Sequence, residues 1–251
     1  MLKPRLCYTI WFSQRTGSTL LTTALAATGI AGKPEEWYET PEGVGFLAHY
    51  GVETPTALRD LLWARGTTPN RVFGAKVSFH EPMISEALSR WRELHGCPPD
   101  ASRPEVWAHA FPNHRHIVMT RRNTVRQAVS WWRAIQSQAW HRPVGDDAAP
   151  PPEEEVYSFD AIDRLVDEVV MREAGIQAFL AEAGIVPLTV VYEDFVADYA
   201  GTIRQVLAYL DLDTAIAIPP PAFERLSDAV AEAWVQRYRE ERQAGWTYRG
   251  W

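Results

Sequence analysis

The chain has 251 residues, 46% of them hydrophobic, and a formal net charge of −7. That length can bury one sizeable core, no apolar stretch approaches the roughly 20 residues that span a bilayer, and the acidic balance argues against a nucleic-acid or membrane-surface protein. Cys7 and Cys97 are too few for a disulfide framework, and Met1 to Ser13 carries Lys3 and Arg5 without a long apolar core or a small-residue cleavage site, so the expected compartment is the cytoplasm.

Tyr8 to Phe12 (YTIWF), β-branched and aromatic, reads as a strand running into the hydroxyl-rich turn SQRTGSTLL (Ser13 to Leu21) and a helix over Thr19 to Thr28, closed by Gly29 and Gly32. Lys33 to Tyr50 is irregular, Pro55 to Arg65 helical, and Gly66 to Asn70 a turn. Arg71 to Phe79 is a second strand, weakened by Gly74 and Ala75 in its middle. Met83 to Leu94 is a helix, His116 to Thr120 a nearly continuous apolar strand of the buried parallel kind, and Val125 to Trp140 a helix. Asp146 to Glu155 is a proline-rich acidic connector, exposed, and an insertion loop rather than a domain boundary. Ser158 caps a long helix reaching about Glu182, with Ile162, Leu165, Val166, Val169 and Val170 on one face. Pro187 to Tyr192 is a fourth strand; helices follow at Tyr199 to Leu210 and Ala222 to Arg242, separated by Pro219 to Pro221. Strands alternating with helices predict one α/β domain over residues 1–251, a central parallel sheet with helices on both faces.

The first strand–turn–helix carries chemistry. A glycine-containing loop that opens a helix aims backbone N–H groups and the positive end of the helix dipole at one spot, a seat for phosphate or sulfate. Gly17 permits close approach, Ser13, Thr16, Ser18 and Thr19 add hydroxyls, and Arg15 adds a fixed charge. The plain alternative is a Ser/Thr-capped helix. The loop differs from the G-x-x-x-x-G-K-[ST] pattern: Ser18 follows Gly17, and Phe12 stands where the first glycine belongs. No clear aspartate ends a later apolar strand to hold magnesium, so phosphoryl transfer from ATP lacks two of its usual parts.

A second constellation lies between Glu105 and Asp146, where Arg115, Arg121, Arg122, Arg126, Arg133 and Arg142 occur and no acid does. Arg121 and Arg122 stand at a strand end, the ligand edge of open α/β sheets. Arg122, Arg126, Ser130 and Arg133 share one helical face, and Val125, Ala128, Val129, Trp132 and Ile135 form the expected core stripe. An arginine at the strand end and a serine two turns on suit a second phosphate, because the guanidinium fork bonds phosphate oxygens in pairs. Two grips imply a ligand charged at both ends.

SQRTGSTLL, GKPEEWY, GAKVSF, RRNTVRQAVSWWRAIQSQAW and AWVQRYR, in this order, resemble the bacterial trehalose 2-sulfotransferase family over nearly the whole chain. The specific parts are QR-[ST]-GST and QAVSxWRAxQxxxW. The resemblance implies a P-loop-like three-layer sandwich, a homodimer, and 3′-phosphoadenosine 5′-phosphosulfate (PAPS) as donor, with no metal. QRTGST is also similar, more distantly, to the PKSGTT loop of cytosolic sulfotransferases, which sets Arg15 in place of their phosphosulfate lysine. By this resemblance Arg15, Thr16, Gly17, Ser18 and Thr19 hold the 5′-phosphosulfate, and Arg121 and Ser130 hold the 3′-phosphate. Arg122 competes with Arg121, since the arginine-to-serine spacing of the cytosolic enzymes is one residue shorter. Glu36 in GKPEEWY corresponds to the proposed general base that deprotonates the acceptor hydroxyl, with Glu35 as the neighbour most easily mistaken for it. Arg15 and the loop amides then stabilise the charge that builds on the leaving nucleotide.

Other polar residues are secondary. Lys76, inside the second strand, either reaches the sulfuryl group or is an edge-strand lysine; His80 is a second candidate base or a solvent-exposed histidine. Trp37, Trp131, Trp132 and Trp140 could stack on adenine or a sugar, or pack in the core, and Arg237 and Arg239 are candidates to close over the nucleotide. Two departures concern the acceptor: RLSDAVA (Arg225 to Ala231) replaces a segment resembling RQADQRS, and Lys33 replaces an acidic residue before PxE. The acceptor therefore stays open among a disaccharide such as trehalose, another glycan, a glycolipid head group and a small alcohol. The competing functions are a P-loop-type small-molecule kinase and a non-catalytic nucleotide-binding module of the same fold.

Overall fold

Every residue of Leu6–Phe12 is buried, as a strand covered on both faces requires. This segment is β1 of a four-stranded parallel sheet in a computed structural model that describes residues 3–145, 155–223 and 228–247. The other strands are β2 (Val72–Ser78), β3 (His114–Thr120) and β4 (Leu188–Val191), in the order β2-β1-β3-β4. The helices are α1 (Ser18–Ala27), α2 (Phe46–Tyr50), α3 (Pro55–Gly66), α4 (Glu81–Arg92), α5 (Arg103–Ala110), α6 (Thr124–Ser137), α7 (Phe159–Ala181), α8 (Tyr192–Ala197), α9 (Tyr199–Tyr209) and α10 (Ala229–Arg242).

Side chains alternate across β1 and divide the interior in two. Tyr8, Ile10 and Phe12 meet Leu21 and Leu25 of α1, Phe195 of α8, and Ile203, Val206 and Leu207 of α9. Cys7 and Trp11 enter an aromatic core with Phe73 of β2, Trp91 of α4, Trp107 of α5 and Phe179 of α7. A third cluster, with Ala128, Val129, Ile162, Trp234 and Val235, joins α6, α7 and α10. The chain passes from β1 to β2 on one side and returns to β3 on the other, so the carboxyl end of β1 is the switch point where open α/β sheets bind ligands.

The sheet's β2 edge is covered. Glu35 bridges Ala75, and Lys76 N–H donates to the Glu35 carbonyl at 2.9 Å. Gly74, which looks like a weakness in a strand, makes this crossing possible: a Cβ there would lie 2.8 Å from the Tyr8 ring and 3.0 Å from Pro34. Gly32, at φ +73°, passes so close that its own Cβ would sit 2.7 Å from Gly74 N.

Several predicted boundaries shift. The final helix starts at Ala229, not Ala222, since Phe223 is bridged to Pro143 and Ala222 accepts from Val144 N–H. The predicted Val125 to Trp140 helix stops at Ser137, where Gln138 turns left-handed at φ 55°. Three short helices, α2, α5 and α8, were not predicted; α5 carries a Ser102/Glu105 capping box. Most of the acidic connector, 146–154, lies outside the described residues. Among the described residues no helix is long and apolar enough to cross a membrane.

Two histidines of β3, His116 buried and His114 half-buried, are hydrogen-bonded within the aromatic core. Trp11 Nε1 donates to His116 Nδ1 at 2.9 Å, while Thr9 Oγ1 is hydrogen-bonded to His114 Nε2 at 2.9 Å and accepts from Trp107 Nε1 at 3.1 Å. Burial pushes both imidazoles down, His114 well below its usual range with His116 adding to the effect, and His116 to about 4. Between the ordinary histidine value of 6.5 and those depressed values, only the unfolded chain takes up these protons. Stability from this source is therefore present above 6.5 and lost as the pH falls. Thermal melts should show a midpoint that drops between pH 7 and 4, and His114→Gln/His116→Gln should drop less steeply over the same range.

Candidate active site

The turn from β1 to α1 is built around left-handed backbone. Arg15 has φ 68° and Gly17 φ 78°, and a Cβ on Gly17 would meet the Tyr192 ring at 2.8 Å. Gly17 is the N-cap of α1 and no side chain caps the helix, so the Ser/Thr-capped alternative is not what forms and the amino end keeps its dipole uncapped. The loop is braced from below. Thr16 Oγ1 donates to the Ser13 carbonyl at 3.0 Å, and buried Gln127 donates to Ser13 Oγ at 2.8 Å and to the Gln14 carbonyl at 2.7 Å. The Thr16 and Ser13 hydroxyls thus serve the loop, while Arg15, Gly17, Ser18 and Thr19 line a cleft of about 640 Å³, within the usual range for ligand sites.

Across the cleft stands α6. Ser130 Oγ accepts from Arg15 Nε at 3.0 Å, and the Trp140 carbonyl accepts from Arg15 Nη1. Arg121, just past β3, donates to the Arg15 carbonyl at 3.4 Å, lies over Tyr192 at 4.6 Å and faces Glu193 at 3.7 Å. The two expected anion grips are therefore contiguous. Burial first, and the neighbouring Arg121 charge second, pull the Arg15 guanidinium down to about 10, with Tyr192 opposing.

Most of the acid-free arginine window is paired with carboxylates distant in sequence. Arg115 pairs with Asp211, Arg126 with Glu232, and Arg133 with Glu155 and Asp228. Arg122 pairs with Asp194 through two bonds and faces solvent, outside the cleft that Arg121 lines. Arg15 differs: among the described residues it meets a hydroxyl and a carbonyl and forms no carboxylate pair. The α6 stripe differs too, since Ile135 is 36% exposed while Gln127, Trp131 and Ala134 turn inward.

GKPEEWY brings the predicted base to the other side of the loop. Glu35 is exposed, its backbone spent on the β2 edge, whereas the Glu36 carboxylate meets Lys76 Nζ at 2.5 Å. Lys76, buried, also donates to Thr19 Oγ1 at 3.0 Å. The lysine thus joins Glu36 to the start of α1, although Glu36 itself does not line the cleft. Other candidates fall elsewhere. His80 is exposed at the start of α4. Trp37 donates to the Gly74 carbonyl, Trp131 lies under Arg172, and Trp132 donates to the Val156 carbonyl, leaving Trp140 in the cleft. Arg237 pairs with Glu241 over Tyr157, and Arg239 does not line the cleft.

The Stf0 sulphotransferase family model matches residues 7–241. The chain belongs to that family. It is 29% identical over 258 residues, 93% of this chain and 94% of the relative, to a trehalose 2-sulfotransferase of Mycobacterium tuberculosis (strain Erdman). Identity to the trehalose 2-sulfotransferase of Mycolicibacterium smegmatis is also 29%, over 272 residues that cover 94% and 95% of the two chains. A crystal structure of a sulfotransferase from Alicyclobacillus acidocaldarius shares the fold, with TM-score 0.53 and 15% identity over 97% of this chain and 96% of that one.

The sulfotransferase has site residues that pattern reading passed over. Tyr192 wedges between Gly17 and Arg121, and Gln127 and Arg172 brace the loop; Arg172 donates to Gln14 Oε1 at 2.8 Å and to Ser78 Oγ at 2.6 Å. A polar residue on the inward stripe of an amphipathic helix, as Gln127 is on α6, was the available signal. Gly17→Ala should cost about 1–2 kcal/mol for the left-handed backbone alone, read by urea unfolding, and should lower transferase activity by displacing Tyr192.

Proposed function

We propose that this sulfotransferase moves a sulfuryl group from PAPS to a hydroxyl of a carbohydrate, trehalose or a related sugar or glycolipid, as a single domain and without a metal. The observation that carries the reading is Arg15: a desolvated guanidinium without a carboxylate partner among the described residues, at an uncapped helix N-terminus, hydrogen-bonded to Ser130 and beside Arg121. Such a site favours an anion, and the residues present fit one with two charged groups. Arg15, Gly17, Ser18, Thr19 and the Thr16 backbone would hold the 5′-phosphosulfate, and Arg121 and Ser130 the 3′-phosphate. The sugar acceptor rests on the two trehalose 2-sulfotransferase relatives.

PAPS supplies an electrophilic sulfur and a phosphate leaving group. Glu36 takes the proton of the acceptor hydroxyl as the new S–O bond forms. Arg15 and the α1 amides stabilise the negative charge that accumulates on the leaving oxygen, a task of position and electrostatics. Lys76, between Glu36 and Thr19, keeps the base and the donor loop in register. The family resemblance extends the proposal to a homodimer, which light scattering measures.

Calorimetric titration with 3′,5′-bisphosphoadenosine (PAP) should give saturable heat, and mass spectrometry after incubation with PAPS and a polar-metabolite extract should reveal a sulfated sugar. Absence of PAP binding sinks the donor assignment; magnesium-dependent consumption of ATP in its place would mark a kinase. Arg15→Ala should lower turnover by about 10²-fold or more and weaken PAP binding. Glu36→Gln should lower turnover by about 10²–10⁴-fold with PAP affinity retained; equal losses in both would remove Glu36 as base.

A further inference from the structure

We propose that Glu39 is the second half of a two-carboxyl base: the proton that Glu36 takes from the acceptor is shared with Glu39 and leaves to solvent through it. The inference rests on the reading of Glu36 as the base and adds a residue that neither the motifs nor the family resemblance singled out.

The geometry is a tight turn. Glu39 N–H donates to the Glu36 carbonyl at 3.1 Å, and the two side-chain carboxyl groups lie within hydrogen-bond contact. Two carboxylates that close cannot both stay ionised without cost, and one proton between them removes the repulsion. Glu36 also faces Lys76 Nζ at 2.5 Å, and that ammonium is committed on its other side to Thr19 of the anion loop. Glu39 is exposed, so the cluster runs from a buried cation at the donor loop, through Glu36, to a carboxyl open to water.

The electrostatics agree with the geometry. Glu39 is pushed up to about 7, first by its hydrogen bond with Glu36, then by partial burial and the Glu36 charge, with Lys76 opposing. A further ionisable group near Glu36 is His141, which lines the cleft and feels Arg15, Lys76 and Glu36. Burial, then the two cations, hold its imidazole at about 4, so near neutral pH it adds no charge of its own. Glu39 is therefore poised to gain or lose a proton near neutral pH.

The step balances. The acceptor O–H proton moves to Glu36, and the acceptor oxygen bonds sulfur. The S–O bond to the nucleotide phosphate breaks, with its electron pair going to the phosphate oxygen. The proton then passes from Glu36 to Glu39 and to water, restoring the starting pair.

Two measurements test this. Carbon-13 carboxyl NMR of the whole enzyme, which needs no acceptor, should show a glutamate titrating near 7; Glu39→Gln should abolish that titration and Glu36→Gln should return Glu39 to the ordinary carboxylate range. No glutamate titrating near neutrality overturns the shared proton. In pH–rate profiles with PAPS and trehalose as probe acceptor, Glu39→Gln should lose the acid limb near 7 and about tenfold in turnover, with PAP affinity unchanged and Glu39→Asp restoring the limb. If Glu36→Gln is inactive but Glu39→Gln keeps the wild-type rate and limb, the two-carboxyl base is wrong and the single base stands. If Glu36→Gln keeps full activity, the base reading itself fails.

Discussion

A desolvated guanidinium held by a hydroxyl and a carbonyl is the constraint on which the cleft depends. Arg15 reaches that position because its own backbone and that of Gly17 turn left-handed, and because Tyr192 fills the space a side chain on Gly17 would need. The loop cannot relax inward, since Gln127 and Arg172 occupy its underside with hydrogen bonds to Ser13 and Gln14. Nor can it turn outward without losing Ser130 and Trp140. Elements distant in sequence, α6, α7 and the start of α8, thus converge on five residues between β1 and α1.

Lys76 carries the same organisation to the sheet edge. Its strand is an edge strand in hydrogen bonding, but GKPEEWY lies across it, held by the Glu35–Ala75 bridge and by Trp37 donating to Gly74. Because Gly32 and Gly74 allow the two segments to touch, Glu36 arrives at the lysine and its neighbour Glu39 arrives at Glu36. A single buried ammonium therefore connects the Glu36 carboxylate to Thr19 at the start of α1.

The rest of the charge distribution sharpens that contrast. The carboxylates of α10 and its approach, Asp228 and Glu232, pair with Arg133 and Arg126 along the cleft, and Asp194 takes Arg122 away from it. What looks along the chain like a compact pocket for a polyanion is mostly a lattice of ion pairs joining α6, α8 and α10. Exposed pairs of this kind add little stability, but they leave the attraction for an anion concentrated at Arg15 and its neighbours.

Local pattern was enough for the strand–turn–helix, the parallel sheet with helices on both faces, and the cation and glycine of the turn between β1 and α1, because each follows from nearest-neighbour chemistry: β-branched runs, a turn glycine, an amphipathic helix. It also singled out Arg121 and Ser130, by their place at a strand end and on one helical face, and both line the cleft. It could not choose Arg121 over Arg122, since both precede the same helix and only the reach of Asp194 and Glu193 separates them. It read Gly74 as a weakness because close approach of another segment is invisible in one dimension, and it missed Tyr192 because that residue acts through a contact 175 positions from Gly17. The amino-acid order alone determined which charged and hydroxyl groups stand around the first turn and the end of the third strand. Only the folded chain decided which of them meet a counter-charge, because ion pairing and burial are set by through-space distance, which sequence separation does not encode.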